Sequence, residues 1–343
     1  MHSETTAERV KAIVDAVNIS SATAFSFAGQ NFNANAAPQT VPGMRAAQEN
    51  PLVATLRKCL YASCYCKPFP AKSGAAVPAA PVLPPRDLGA ELSAANAGQP
   101  RWDAGWQIAR IETSGQVIAQ KSGKQRAVWP GEFLTFDGPG VPPRPGSQIS
   151  VYFPHESRTM QPGFYFAFSE AESDPADETR LTRFYWNLRE EGAVPLTNWV
   201  TQTLNRFQVP FRYKCMTISG QFERLDAAVL YISKKFFRIS AELAASGRET
   251  LKAFLRPETP LFTRKLAPGL AFAEDPGNGE SFGMNRCRIL AEGICRAASK
   301  GLSKEGERMQ EVARHFAQYG LSFDRIHLNA QSADFYDTPE FAQ

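Results

Sequence analysis

From Trp102 onward the chain is a succession of short segments rich in β-branched and aromatic residues, each bounded by glycine or proline. Such segments are typical of β-strands, and they lie at residues 108–112, 116–120, 133–136, 148–153 and 164–169. Consecutive short strands with turn signals favour an antiparallel or mixed sheet over a repeated strand–helix–strand pattern. Amphipathic stretches that predict helices begin near Pro195, Phe237, Ser281 and Lys304. The sequence therefore predicts an α+β fold, with an antiparallel or mixed sheet flanked by helices.

The N-terminal part of the chain differs in composition and in the secondary structure that it predicts. Residues 1–66 contain two helical patterns, one at residues 8–16 and one that Pro51 opens. Residues 67–100 are crowded with proline and alanine. Because proline fixes φ and removes a backbone donor, this stretch predicts a linker or an extended loop. We therefore expect an N-terminal helical segment at 1–66, a linker at 67–100, and a single α+β domain at 101–343.

Charge and hydropathy narrow the class of protein. The net charge of +4 fits a protein that handles anionic peptides or phosphates. The cations are too dispersed to indicate nucleic-acid binding. No run reaches the roughly 18 apolar residues of a membrane helix, and no signal-peptide core follows the N-terminus. We expect a cytoplasmic protein without membrane or nucleic-acid partners; a disordered type III secretion signal would escape this argument, so a secreted effector stays open.

The cysteines do not predict a metal site. Cys59, Cys64 and Cys66 are close in sequence, but their spacing is not that of the paired C-x-x-C ligands of structural zinc. Buried free thiols are the expected alternative, since free cysteine packs as a small hydrophobe. The chain also has no Walker loop, no serine-hydrolase elbow and no carboxylate cluster typical of magnesium. We expect neither a metal nor a cofactor.

The second half of the chain places cations on or beside elements that are otherwise apolar. In one predicted strand, Arg183, Tyr185 and Asn187 fall on one face, opposite an apolar core face. That polar face is either solvated or part of a site. In the next strand, Arg212 and Lys214 share a face about 7 Å apart, close enough to bind one polyoxyanion. Brought together by folding, such cations predict an anion pocket, most naturally for phosphate.

Two further pairs are candidates for phosphate binding. Ser281 is placed to cap a helix, whose N-terminus favours an anion, and Arg286 lies about one turn further on. The alternative is a well-capped helix with a surface arginine. Arg224 and Asp226 would form a phosphate clamp with an orienting carboxylate, or a structural ion pair at the entrance to a strand.

Lys214 and His155 are the candidates for proton transfer. Lys214 lies among aromatic residues, where burial would favour the neutral amine that acts as a base. The alternative is a lysine that extends from a sheet edge into water. His155 ends a predicted strand, either as a general acid or as a loop residue without a role. A base, an acid and several cations suit metal-free β-elimination of phosphate from phosphoserine or phosphothreonine.

At these blocks the chain resembles the HopA1 type of type III effector. That family also covers lyase components of pathways for class V lanthipeptides and thioamide-containing peptides. The matching stretches are FYWNL at 184–188, PF…K at 210–214, R…DAAVLY at 224–231, PLFT…LAPG at 260–269, AEDP…ESFG…RC at 273–287, and the helix end LY…Y at 60–65.

The resemblance implies an α+β fold and an enzyme, a phosphoserine/phosphothreonine lyase that forms dehydroalanine or dehydrobutyrine in a precursor peptide. It also implies a separate kinase that supplies the phosphate. Lys214 matches the base, and Tyr185 or Tyr231 takes the acid role if His155 does not. The phosphate- or substrate-binding candidates are Arg183, Asn187, Arg212, Arg224, Asp226, Ser281 and Arg286. The alternative is a non-catalytic or host-directed effector that binds phosphopeptide or protein partners.

Overall fold

Three antiparallel sheets and eight α-helices form the part of the chain that the computed structural model describes, residues 5–34, 50–69, 86–138 and 140–341. The helices are α1 (Thr6–Ala16), α2 (Pro51–Leu60), α3 (Leu88–Ala95), α4 (Pro175–Glu178), α5 (Ala193–Arg206), α6 (Phe237–Leu251), α7 (Phe282–Ser299) and α8 (Glu305–Gln318). A π-helix, Tyr61–Tyr65, continues α2. The predicted α+β class is confirmed.

The central sheet has seven strands, all paired antiparallel. In chain order they are β9 (Glu156–Gln161), β10 (Phe164–Phe168), β11 (Leu181–Trp186), β12 (Phe211–Met216), β13 (Ala228–Ser233), β14 (Arg264–Ala267) and β15 (Leu270–Glu274). Their spatial order is β14-β15-β11-β13-β12-β10-β9. Three strands that carry predicted site residues, β11, β13 and β12, are therefore neighbours inside the sheet.

Two smaller sheets precede the central one. The first is the meander β1 (Val17–Ser21), β2 (Ala24–Phe27) and β3 (Gln30–Asn33). The second has the order β6-β5-β4-β8-β7 and comprises β4 (Arg101–Ile111), β5 (Val117–Lys121), β6 (Lys124–Val128), β7 (Phe133–Thr135) and β8 (Gln148–Phe153). It packs its own small core around Trp106, Ile108 and Val151.

Strand alternation gives the central sheet two buried faces. On one face, Phe184, Tyr213 and Leu230 pack with residues of α5 and α6. On the other, Tyr185 and Val229 pack with residues of α2, the π-helix, α7 and α8. Because helices cover both faces, the polar face that the sequence predicts on β11 is buried rather than solvated.

The predicted N-terminal boundaries need two corrections. The segment 1–66, expected to be helical, also contains the three strands β1–β3, which are only four or five residues long and so give little periodic signal. The stretch 67–100, expected to be a linker, contains α3. Asp87 caps this helix, and the i, i+4 pair Leu88 and Leu92 is buried in the core with α5, so the proline-rich composition ends before it. Residues 70–85 lie outside the described residues.

None of the described helices is both long and apolar enough to cross a membrane.

A buried carboxylate at the end of β15 holds the C-terminal segment against the central sheet. Glu274 at the end of β15 is fully buried and pairs with Lys234 at 2.6 Å. It also accepts hydrogen bonds from the Asn329 backbone, Ser332 and Tyr336, at 2.6 to 2.9 Å. Nearby, the His327 ring meets Phe272 edge-on, and its Nε2 has no partner among the described residues.

The burial of His327 predicts a stability loss in mild acid. Burial, together with the positive charge of Arg264, lowers the pKa of His327 to about 4, against a usual value of 6.5. Between these values the unfolded chain binds the extra proton and the folded protein does not, so stability falls as the pH falls. With partial solvent access discounted, we expect a loss of about 2 kcal/mol between pH 7 and pH 4.5.

Urea midpoints at the two pH values measure this loss. The His327→Gln variant, which cannot titrate, is expected to lose clearly less stability than the wild type over the same interval. Glu274 contributes little to this difference, because its pKa lies below its usual 4.5 and most of its contribution is lost below that pH. An identical loss in His327→Gln would assign the acid sensitivity to another group.

Candidate functional site

A row of side chains crosses three adjacent strands on the face covered by α7 and the π-helix. Arg183 of β11 lies opposite Tyr231 of β13, and Tyr231 lies opposite Arg212 of β12. The guanidinium carbons of Arg183 and Arg212 lie 5.0 and 4.6 Å from the centroid of the Tyr231 ring. Tyr231 thus joins two arginines through cation–π contacts, and the row concentrates positive charge at one place on the sheet.

Lys214 lies in the next row of the same face. It is opposite Val229 of β13, which is itself opposite Tyr185 of β11. The Lys214 Nζ atom lies 4.6 Å from the centroid of the Phe164 ring. Since β12 lies between β13 and β10, Lys214 does not extend from a sheet edge. It is half-buried, and Arg212 is exposed.

Arg212 and Lys214 have no counter-charge among the residues that the structure describes. Within the described part of the chain, neither side chain forms an ion pair or a hydrogen bond; their contacts are the aromatic rings already given. Two cations on one strand face repel each other, and an anion between them would relieve that repulsion. A polyoxyanion such as phosphate suits this pair, because several of its oxygens can be contacted at once.

The Asp275 carboxylate holds the Arg183 side chain in place. Its Nε donates to Asp275 Oδ2 at 2.7 Å, and its side chain is only 10% exposed. Burial works to lower the pKa of Arg183, but the adjacent Tyr185 and Tyr231 and the Asp275 carboxylate outweigh burial and raise it above the usual range. The guanidinium is thus permanently charged and fixed in orientation beside Tyr231.

The tyrosines of this face differ in exposure. Tyr185 is 2% exposed and Tyr231 is 8% exposed. Burial raises the pKa of Tyr185 above its usual range, so its hydroxyl is protonated at neutral pH. That hydroxyl lies near Tyr65 of the π-helix but has no partner in hydrogen-bonding geometry among the described residues.

The π-helix supplies the wall of the site that sequence reasoning missed. Its Tyr61 and Tyr65 rings stack at 5.3 Å, and Tyr65 meets Tyr185 edge-on at 6.5 Å. π-helices are rare and are frequent at functional sites. A sequence pattern with a period of 3.6 residues does not indicate a π-helix. The available signal was the spacing of the two tyrosines in residues 60–65, one of the stretches that resemble the family.

Arg224 and Asp226 meet this wall at the entrance to β13. The Arg224 Nε and Nη2 atoms donate to the two Asp226 oxygens at 2.9 and 3.0 Å, and Nη2 also donates to the Tyr61 hydroxyl at 3.0 Å. Arg224 and Asp226 therefore form an ion pair at the entrance to a strand, which is one of the two alternatives that the sequence left open. Its contact with Tyr61 also places it at the site.

Three predicted residues lie apart from this group. His155 precedes β9, where Asn96 Nδ2 donates to its carbonyl at 3.1 Å and its Cβ lies beside Gly98, on the α5 side of the sheet. Asn187 is 1% exposed and donates from Nδ2 to the Glu258 carbonyl at 3.0 Å, which holds the loop after α6. The Asn187 contact is structural, and the His155 Nδ1 atom is buried without a hydrogen-bond partner among the described residues.

Arg286 also has a role different from the one expected. It is 3% exposed and donates to the carbonyls of Ile326 at 3.0 Å and Leu328 at 2.7 Å. It therefore fastens the C-terminal segment to α7, and those donors are not available to a ligand. Ser281 caps α7 as predicted, accepting from the Met284 N–H at 3.3 Å.

The cysteines are free, and Cys64, Cys66, Cys215 and Cys287 are buried. The prediction of buried free thiols is confirmed for these four, while Cys59 and Cys295 are half-buried. Among the residues that the structure describes, no group of three or more His, Cys, Asp or Glu side chains is arranged to hold a metal ion.

A sequence model of the HopA1 effector protein family matches residues 155–328, just over half of the chain. The chain therefore belongs to the HopA1 effector protein family. The match includes every strand of the central sheet and leaves the π-helix outside.

Solved structures that are similar to the chain include two bacterial effectors. One is the effector protein from Pseudomonas syringae pv. tomato strain DC3000, at 18% identity and a TM-score of 0.39. The other is the effector protein from Pseudomonas syringae pv. syringae strain 61, at 19% identity and a TM-score of 0.36. Each comparison covers 49% of this chain and 63% of the solved chain, less than two thirds of either relative. No curated protein matches the chain.

Proposed function

We propose that the protein is a metal-independent phosphoserine/phosphothreonine lyase that converts a phosphorylated precursor peptide to its dehydroalanine or dehydrobutyrine form, as in lanthipeptide-like maturation. The observation that carries the proposal is the pair Arg212 and Lys214, two cations on one face of an inner strand without a counter-charge among the described residues. In the same row, Arg183, which is ion-paired with Asp275, and Tyr231 supply a further guanidinium and a hydroxyl.

The reaction needs one base, one proton donor and charge stabilisation. Lys214, as the neutral amine, takes the Cα proton of the phosphorylated residue. The electron pair of that C–H bond forms the Cα=Cβ double bond, and the Cβ–O bond breaks, so phosphate leaves with its bonding electrons. Arg212 and Arg183 stabilise the charge on the phosphate as it develops. The resulting lysine ammonium then returns its proton to water.

A separate kinase supplies the phosphate in this proposal, and the elimination takes place in the cytoplasm. The substrate is a peptide whose phosphorylated side chain is short, because the α-carbon must reach Lys214 while the phosphate contacts Arg212. The two positions lie about 7 Å apart along β12, and phosphoserine and phosphothreonine span a distance of that order.

Mass spectrometry of synthetic phosphopeptides tests the proposal. Incubation with the full chain is expected to remove one phosphoric acid from a phosphoserine or phosphothreonine peptide, leaving a product that adds a thiol at the new double bond. A phosphotyrosine peptide is the matched control, since its phosphate is bonded to the aromatic ring and it has no Cβ–O bond to break. Binding of phosphopeptide without any mass change would favour a non-catalytic phosphopeptide-binding effector instead.

A further inference from the structure

The Tyr61 hydroxyl is oriented by two charged neighbours. Arg224 Nη2 donates to the Tyr61 oxygen at 3.0 Å, which uses one lone pair of that oxygen. Asp226 Oδ2 lies 3.5 Å from the same oxygen, at the limit of a hydrogen bond. The Tyr61 proton is therefore held only weakly, and a better acceptor placed beside the hydroxyl would take its hydrogen bond.

The π-helix and the segment before β13 fix this position together. The Leu225 N–H donates to the Cys66 carbonyl at 2.8 Å, which ties the end of the π-helix to the Arg224–Asp226 pair. Tyr61 also stacks on Tyr65, and the Arg224 guanidinium lies 5.6 Å from the Tyr61 ring centroid. The Tyr61 ring is thus held between Tyr65 and Arg224, and its hydroxyl lies beside the Arg224–Asp226 ion pair.

Tyr61 and Lys214 approach the same part of the sheet. Lys214 lies opposite Val229 of β13, three residues after Asp226, whose Oδ2 atom lies 3.5 Å from the Tyr61 hydroxyl. On the neighbouring strand, Tyr185 also lies opposite Val229 and meets Tyr65, on which Tyr61 stacks. Tyr61 and Lys214 therefore border the same region of the site.

We infer that Tyr61 donates the proton to the departing phosphate, in the position where the reaction needs an acid; the inference rests on the proposed lyase function. In this step Lys214 takes the Cα proton, the Cβ–O bond breaks, and the Tyr61 Oη–H proton passes to the bridging oxygen of the phosphate. Hydrogen phosphate leaves, and the tyrosinate next to Arg224 regains a proton from water. Arg224 stabilises that tyrosinate, and Asp226 orients Arg224.

Burial, followed by the charges of Asp226 and Cys66, raises the pKa of Tyr61 above its usual range, while Arg224 opposes the shift. The hydroxyl is therefore protonated at neutral pH. Among the tyrosines of this wall, Tyr61 alone is half-buried rather than buried, since Tyr65 is 1% and Tyr185 is 2% exposed. Of these three tyrosines, Tyr61 is therefore the one with the most surface available for contact with a substrate.

The Tyr61→Phe variant of the full chain tests the inference with a phosphothreonine peptide as the probe. We expect kcat to fall about 100-fold, the typical contribution of a general acid, while the Kd of the peptide changes less than threefold. Tyr319→Phe is the matched control. Tyr319 also contacts an arginine, Arg288 at 3.4 Å, and a carboxylate, Glu292 at 2.8 Å, but it lies at the end of α8. Its loss is expected to leave kcat unchanged.

A thiophosphorylated peptide separates an acid from a structural residue. Its leaving group is less basic and needs less help from a proton donor, so Tyr61→Phe is expected to slow the thiophosphate reaction at least tenfold less than the phosphate reaction. Equal losses on both peptides, or a wild-type kcat in Tyr61→Phe, would overturn the role of Tyr61 and leave the lyase function standing. A wild-type protein that eliminates phosphate from neither peptide overturns both.

Discussion

The Lys214→Ala variant is expected to lose phosphate elimination by about 10³-fold, within the range for removal of a general base, while it still binds phosphopeptide. The physical reason is the position of the side chain. Lys214 lies on an inner strand, beside Phe164 and without a carboxylate partner among the described residues, so its amine is available to take a proton from the substrate. Arg212 and Arg183 stay in place and continue to hold the phosphate.

Two more variants give this prediction its controls. Lys214→Arg keeps the positive charge but cannot be deprotonated, since arginine stays charged in proteins; it should bind the peptide and fail to eliminate phosphate. Lys265→Ala changes an exposed lysine on β14, at the edge of the same sheet, and should retain full activity. Rates are measured as phosphate released under saturating peptide. Wild-type turnover in Lys214→Arg would show that Lys214 contributes charge and not base chemistry.

The sequence predicted the central sheet and its helices well, because periodicity is a local property. The strands around Arg183 and Lys214, and the helix capped by Ser281, lie where alternation and capping signals placed them. The grouping of Arg183 and Arg212 around Tyr231 was only partly predictable. Alternation gave the faces, but the order β11-β13-β12 depends on packing that no local pattern records.

What the sequence missed depends on contacts between distant residues. Arg286 looked like a ligand for an anion, but its donors meet carbonyls 40 and 42 residues further on, in a segment with no periodic signal. Tyr61 meets Arg224 across 163 residues, through a π-helix that a 3.6-residue pattern does not indicate. His155 had the right chemistry for an acid, yet the fold places it on the α5 side of the sheet.

The second large effect is expected at Gly283, where α7 touches the π-helix. A Cβ atom at this position would lie 2.5 to 2.6 Å from three atoms of the Tyr65 ring. Tyr65 is 1% exposed and packs against Tyr61, Tyr185 and Phe282, so the ring has no space into which it can move. Overpacking of a well-packed core costs about 1–3 kcal/mol, and we expect Gly283→Ala to lose about 3 kcal/mol, at the upper end of that range.

Gly306→Ala is the matched control, because Gly306 also lies in the first turn of a helix, α8, and a Cβ there meets nothing within 4 Å. It should be neutral or gain about 0.5 kcal/mol from helix propensity. Urea midpoints give both values.

The double variant Gly283→Ala/Tyr65→Leu should recover part of the loss in stability, since leucine leaves the space of the tyrosine ring free and the two changes couple. Because Tyr65 supports Tyr61 by stacking, Gly283→Ala should also slow elimination in the fraction that stays folded. A Gly283→Ala protein as stable as Gly306→Ala would mean that the π-helix shifts at little cost in stability. Tyr65 would then not be the rigid support for Tyr61 that the assignment of Tyr61 requires.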